Sequence, residues 1–145
     1  MKQKKLANLL KIMILGVAVC GICVYGIVIP PLGKRIGFAS FLTLVPCYVA
    51  LVYSWEVMSN IAMDASFTEE NAKLLGKIAS LARVDSVFLL VWSVLFFTLK
   101  ITNVQILMLL LLMVFLGIVL AAIFAALSHL VLRAADLQDQ YDLTI

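Results

Sequence analysis

Four uncharged, strongly apolar runs organise this chain: Ile12 to about Leu32, Ile36 to Trp55, Ser86 to Leu99, and Ile101 to Leu132. Each is bounded by charged residues: Lys11 and Lys34, Arg35 and Glu56, Asp85 and Lys100, and Lys100 and Arg133. A hydrocarbon slab about 30 Å thick needs about 20 helical residues to cross it. The first two runs match that length. The third is short, so its helix is expected to begin in the preceding segment and enter the slab near Val84. The fourth would make roughly 48 Å of helix. It either protrudes or begins late, after a turn near Thr102-Asn103. The runs predict helices over about 8–31, 36–63, 80–100 and 103–135, within one domain spanning 1–145.

The connections carry their own signals. Pro30-Pro31-Leu32-Gly33 ends the first helix, because proline cannot continue the hydrogen-bond ladder. The short link Lys100 to Asn103 makes the last two helices an antiparallel hairpin. The segment between the second and third helices is the longest non-spanning stretch, with a connector expected over about 64–83. Ser66 or Thr68 can cap a helix there, and Glu69 and Glu70 suit its positive end. Downstream, Leu74, Leu75, Ile78 and Leu81 face Lys73, Lys77 and Ser80 across the helix. That pattern predicts a short amphipathic helix lying in the membrane interface. A tail over 136–145 follows the fourth span. The expected fold is all-α: an integral membrane four-helix bundle with a short amphipathic cytoplasmic helix between helices 2 and 3.

Composition supports the same class. Hydrophobic residues make up 65% of the chain and charged residues 13%, against about 25% charged in soluble domains. So few charges cannot cover a globular surface, and lipid must replace the missing water contact. The net charge of +3 is spread over helix ends, so no direct nucleic-acid binding is expected. Met1-Lys2-Gln3-Lys4-Lys5 imitates the start of a signal peptide. The apolar run that follows exceeds the usual 7–15 residues or so of such a segment, so it reads as the first membrane helix.

Orientation follows from Lys and Arg. Four spans place both termini and the middle connector on one side. Lys2, Lys4, Lys5, Lys11, Lys73, Lys77, Arg83 and Arg133 fall there, against Lys34, Arg35 and Lys100 on the other side. Both termini are therefore expected in the cytoplasm. All eight acids share that side.

Few residues carry recognisable chemistry. Cys20-Gly21-Ile22-Cys23 has the spacing of a redox pair but sits deep in an apolar helix without a cation to favour a thiolate. With Gly16 it forms a small-residue face suited to helix packing, and Cys47 is expected at a depth similar to Cys20. Glu56, Asn60 and Asp64 lie at i, i+4, i+8 and predict a polar stripe leaving the membrane, able to meet Arg83 or Arg133. Asp85 is expected near the membrane boundary, pairing or starting a helix, since acids deeper inside are costly. His129, the single histidine, and Arg133 stand one turn apart near the end of the fourth helix. Glu69, Glu70, Asn71, Asp136 and Asp142 complete the candidate polar or partner-binding surface. No nucleophile elbow, phosphate loop or metal motif is present. No catalytic residue, metal ligand or cofactor is expected.

Two stretches resemble a known family. One is Phe67-Thr68-Glu69-Glu70-Asn71-Ala72, continuing from Leu75 to Ile78. The other is Leu132-Arg133-Ala134-Ala135-Asp136-Leu137-Gln138 with Tyr141-Asp142-Leu143-Thr144-Ile145. They are similar to segments of the YoaS-like bacterial membrane proteins, a family of unknown function. Ser66 stands where that family often has Pro, and Gln140-Tyr141 where it often has Glu-Asn. The resemblance implies a multi-pass protein of the bacterial cytoplasmic membrane. It also implies a neighbouring small helix-turn-helix regulator of the XRE type as partner at the cytoplasmic face.

Three function classes follow: a regulatory partner of that regulator, a small immunity or stress protein binding a peptide or lipid, and a transporter or membrane-enzyme subunit. The lipid bilayer is the one partner common to all, and self-association is compatible with each. The charge distribution makes a direct prediction. A reporter active only outside the cytoplasm, inserted within Pro31–Gly33, is expected to be active, and the same reporter after Ile145 silent. Activity from the C-terminal fusion alone reverses the topology.

Overall fold

The computed structural model describes residues 2–27 and 29–144. Four helices account for nearly all of them: α1 Lys2–Ile27, α2 Lys34–Ala62, α3 Glu69–Thr98 and α4 Val104–Thr144. Each is long and apolar enough to cross a membrane. Among the described residues there is no strand. The chain is a multi-pass membrane protein, and the two ends of the bundle differ. One pole holds both termini and the α2–α3 turn; the other holds the α1–α2 and α3–α4 turns.

Local chemistry sets the turns. At the far pole, Pro30–Leu32 forms a single 3-10 turn. Gly33 follows at φ 101, a conformation that side-chain-bearing residues rarely adopt, and its carbonyl accepts from Gly37 N–H as α2 begins. Lys100 closes the α3–α4 hairpin at φ 53. At the terminal pole, Thr68 Oγ1 caps α3 by accepting from Asn71 N–H at 3.3 Å, with Glu69 and Glu70 in the first turn.

Aromatic and basic side chains mark the slab. Lys11 Nζ lies 5.0 Å from the Trp55 ring and Lys77 Nζ 5.3 Å from the Tyr53 ring, at one level. Lys34, Arg35 and Lys100 mark the opposite level. From Arg35 to Trp55 the α-helical rise is about 30 Å, one hydrocarbon thickness. Within it, hydroxyls bond to their own helix: Ser54 Oγ–H donates to Ala50 O, Ser86 to Ala82 O and Ser93 to Leu89 O.

Packing is sequential: α1 lies on α2, α2 on α3 and α3 on α4, while α1 approaches neither α3 nor α4 closely. The α3–α4 pair is the tightest. Ser128 Oγ–H donates to Ala72 O at 2.6 Å, and a methyl group built on Gly117 would collide with Ser86 Oγ. Small residues permit such backbone approach where no hydrophobic force separates protein from lipid. A buried cluster of Val57, Leu74 and Ile78, packed with Tyr53, Met58 and Phe124, joins α2, α3 and α4 at the terminal pole.

Several expectations need correction. No separate amphipathic helix lies between helices 2 and 3. The connector over 64–83 resolves into a turn of six residues and the first turns of a continuous α3. Nothing between Leu81 and Ser86 breaks a helix, and Leu74 and Ile78 are buried against α2 and α4 instead of lying on the interface. The tail also differs: α4 continues as helix through Thr144, since no Gly or Pro follows Leu132. Ile145 lies outside the described residues. α1 starts at Lys2, ahead of the expected residue 8, and its expected end near 31 crosses Val28, also outside them.

The Ser86–Gly117 contact generates a test. Gly117→Leu is expected to separate α3 from α4, costing about 1–3 kcal/mol as an overpacked site does. Gly16→Leu, where nothing lies within 4 Å, should leave stability close to wild type. Thermal unfolding in detergent compares the two.

Candidate functional site

The polar residues singled out in the sequence do not converge. Asp64 lies beyond the end of α2 at φ 60, so the Glu56–Asn60–Asp64 stripe is broken by the turn itself. Glu56 stays exposed. Asn60 turns inward, its Nδ2–H donating to Asn71 Oδ1 at 2.8 Å. Asn71, only 1% exposed, donates through Nδ2 to Ala65 O and Ser66 O. Asn60, Asn71 and Thr68 thus latch the α2–α3 turn. Glu69 pairs with Lys73 at 3.0 Å on an exposed helix face, a contact worth little. Arg83 is exposed and donates to Ser80 Oγ at 3.4 Å. His129 and Arg133 are exposed on α4, and neither forms an ion pair with Glu56 or Asp64 among the described residues. Asp136 and Asp142 stand exposed on the final turns of α4.

The residue that stands apart is Asp85. The sequence places it near the membrane boundary, and in the fold it lies about 12 Å along α3 from Lys77, whose Nζ stands over the Tyr53 ring. It faces α2, where Cys47 Sγ–H donates to its Oδ2 at 3.4 Å. Its other oxygen, Oδ1, is buried and has no hydrogen-bond partner among the described residues. The one ion pair among these residues is Lys73–Glu69, so no protein cation accompanies this carboxylate. An acid set among apolar helices without a cation is expensive, and such residues point to function.

Space adjoins it on both sides. A cleft of about 330 Å³ reaches from Asp85 and Cys47 towards the terminal pole, lined by Pro46, Ser54, Ile78 and Phe124. A larger one, about 790 Å³, lies between α1 and the α2–α3 seam and includes Gly16, Cys20, Tyr25, Cys47, Asp85 and Met113. A third, about 310 Å³, continues towards the far pole past Thr43 and Leu89 to Trp92 and Thr102. These clefts lie where α1 packs closely on α2 and the Pro30–Leu32 turn but not on α3 or α4. Pro46 contributes too, since its missing N–H leaves Leu42 O without the usual α-helical donor one turn from Cys47.

The thiols behave less as packing residues than expected. Cys20 and Cys23 are exposed on α1, and Gly21 makes the close approach: a methyl there would lie 3.1 Å from Tyr48 Oη, which itself donates to Ala18 O at 2.7 Å. Cys47 is free and opens onto the clefts. Among the described residues no group of three His, Cys, Asp or Glu could hold a metal ion. Sequence reasoning passed over Pro46, Trp92 and Thr102. The available signals were a proline inside an uncharged run and the i, i+7 spacing that puts Asp85 and Trp92 on one face of α3.

Residues 3–145 match the family described as "Protein of unknown function (DUF2975)", and the chain belongs to that family. No curated protein and no solved structure matches it.

The Cys47 contact is a weak S–H donor on an otherwise open group. Replacing Cys20, Cys23 and Cys47 together by Ala is expected to leave membrane levels unchanged and to cost under about 1 kcal/mol of stability. Asn71→Ala, which strands three half-buried partners, is expected to cost more, about 1–3 kcal/mol. Equal losses in thermal unfolding would refute this ranking.

Proposed function

We propose that this is a non-enzymatic regulatory protein of the bacterial cytoplasmic membrane, with both termini cytoplasmic, that holds a small basic DNA-binding regulator at its terminal pole. The observation carrying this reading is the extension of α4 past the bundle. Ala135 is the last buried residue, and the helix then continues for over two turns. At 100° per residue, Asp136, Asp139 and Asp142 fall within a sector of about 120°. All three are exposed. Leu137 and Tyr141 lie on the other side of the same helix, 66% and 70% exposed.

A rigid acidic helix face suits a basic partner, because complementary charge speeds encounter and competes with phosphate. The far pole offers Lys34, Arg35 and Lys100 and no acid. The resemblance to the YoaS-like proteins supports the same reading through their adjacent helix-turn-helix regulators. A second reading, a small membrane protein that binds a peptide or lipid, is favoured by the clefts along the α2–α3 seam.

The test is co-expression with a small basic helix-turn-helix regulator of the XRE type. Wild-type protein is expected to hold that regulator in the membrane fraction. The triple variant Asp136→Lys, Asp139→Lys, Asp142→Lys is expected to release it with at least about a ten-fold loss of affinity. Truncation after Ala135, which keeps the buried contact, should do the same. Full retention by both variants at normal membrane levels removes the reading.

A further inference from the structure

Three side-chain polar atoms are buried without a hydrogen-bond partner among the described residues: Asp85 Oδ1, Trp92 Nε1 and Thr102 Oγ1. All three line the same run of clefts. Asp85 borders the two nearer the terminal pole, and Trp92 and Thr102 border the third. The clefts share walls: Ile29, Ser40, Thr43 and Leu89 are common to the second and third, and Val17, Cys47 and Asp85 to the first and second. They therefore form one groove along the α2–α3 seam. Buried polar atoms without a partner are rare in native proteins, and here the three residues that carry them all border one apolar groove.

We infer that this groove is a binding site for a lipophilic amine: a small molecule with a protonated amino group on an apolar body. Asp85 would hold the ammonium, and the groove would take the hydrocarbon. The charge argument selects the cation. Asp85 is the one acid that borders these clefts, and no protein base pairs with it among the described residues. A carboxylate paired with an ammonium inside hydrocarbon escapes most of the cost of an isolated charge. Size agrees, since the largest cleft alone, about 790 Å³, falls within the range of small-molecule sites. Two helical turns, about 10 Å, separate Asp85 from Trp92 on α3. The Trp92 ring packs against Phe96, with ring centroids 5.6 Å apart. That N–H and the Thr102 hydroxyl can bond to an oxygen or nitrogen on the far part of the guest.

A bilayer lipid does not satisfy this site. Its head group resides at the interface, about 12 Å from Asp85 by the helical rise from Lys77. The guest is therefore a free amine partitioned into the membrane. This inference is independent of the acidic α4 extension.

The groove supplies its own reporter. The chain has two tryptophans, Trp55 at the interface and Trp92 in the groove. In a Trp55→Phe protein held in phosphatidylcholine nanodiscs, emission comes from Trp92 alone. The probes are a chain-brominated dodecylamine and the dodecanol with the same bromines. The amine is expected to quench Trp92 saturably, and the alcohol only in proportion to its membrane concentration. Asp85→Asn should raise the amine's half-saturation at least about ten-fold, while Asp85→Glu stays within about three-fold of wild type. Identical curves for amine and alcohol overturn the proposal. So does an unchanged half-saturation in a folded Asp85→Asn protein, or loss of amine quenching once phosphatidylethanolamine is added, which would make the guest a bilayer lipid. If Asp85→Asn fails to fold, the amine–alcohol contrast in the parent protein still decides.

Discussion

Inside hydrocarbon a polar group has only protein to bond to, and nearly every feature of this fold follows from that. The backbone is satisfied by four helices. Hydroxyls such as those of Ser54, Ser86 and Ser93 are satisfied by carbonyls one turn back on the same helix. Glycine and serine then let α3 and α4 approach until side chain meets backbone, as Ser128 does with Ala72 O. Within the helices the exceptions are Asp85 Oδ1 and Trp92 Nε1, and both residues border one groove. In a molecule that otherwise obeys the constraint, their shared location carries the information.

The latch at the α2–α3 turn shows how a sequence signature can be structural. The segment from Phe67 to Asn71 looks like an exposed recognition motif when read as letters. In the fold its asparagine is almost fully buried and ties together Asn60, Ala65 and Ser66, while its threonine caps α3. The acids beside it, Glu69 and Glu70, serve the first turn of the helix. Polar residues at a turn in a membrane protein have much to do before they meet a partner.

The four spans were legible because uncharged runs and their basic flanks are direct consequences of bilayer thickness. The cap at Thr68, the hairpin at Lys100–Asn103 and the termination at Pro30-Pro31 were legible for similarly local reasons. Continuity was not. Whether the amphipathic stretch from Glu69 to Ala82 lies flat or stands upright depends on what Leu74 and Ile78 meet, and that is Val57 and Phe124 on other helices. What Asp85 meets was hidden for the same reason, since its partner Cys47 lies on α2. The groove was illegible because it is made by what α1 does not touch.

α4 is a single unbroken helix of 41 residues, held against α3 where Gly117 meets Ser86 and again where Ser128 bonds to Ala72 O. From Ser128 to Thr144 the rise is roughly 24 Å, and the same helix borders the groove at Met113. Such an element is a lever whose fulcrum is its seam with α3. For an arm of this length, each degree of tilt at the fulcrum carries the tip by roughly 0.4 Å. Small changes in how tightly the helices close around the mid-membrane space are thereby magnified at the end furthest from it.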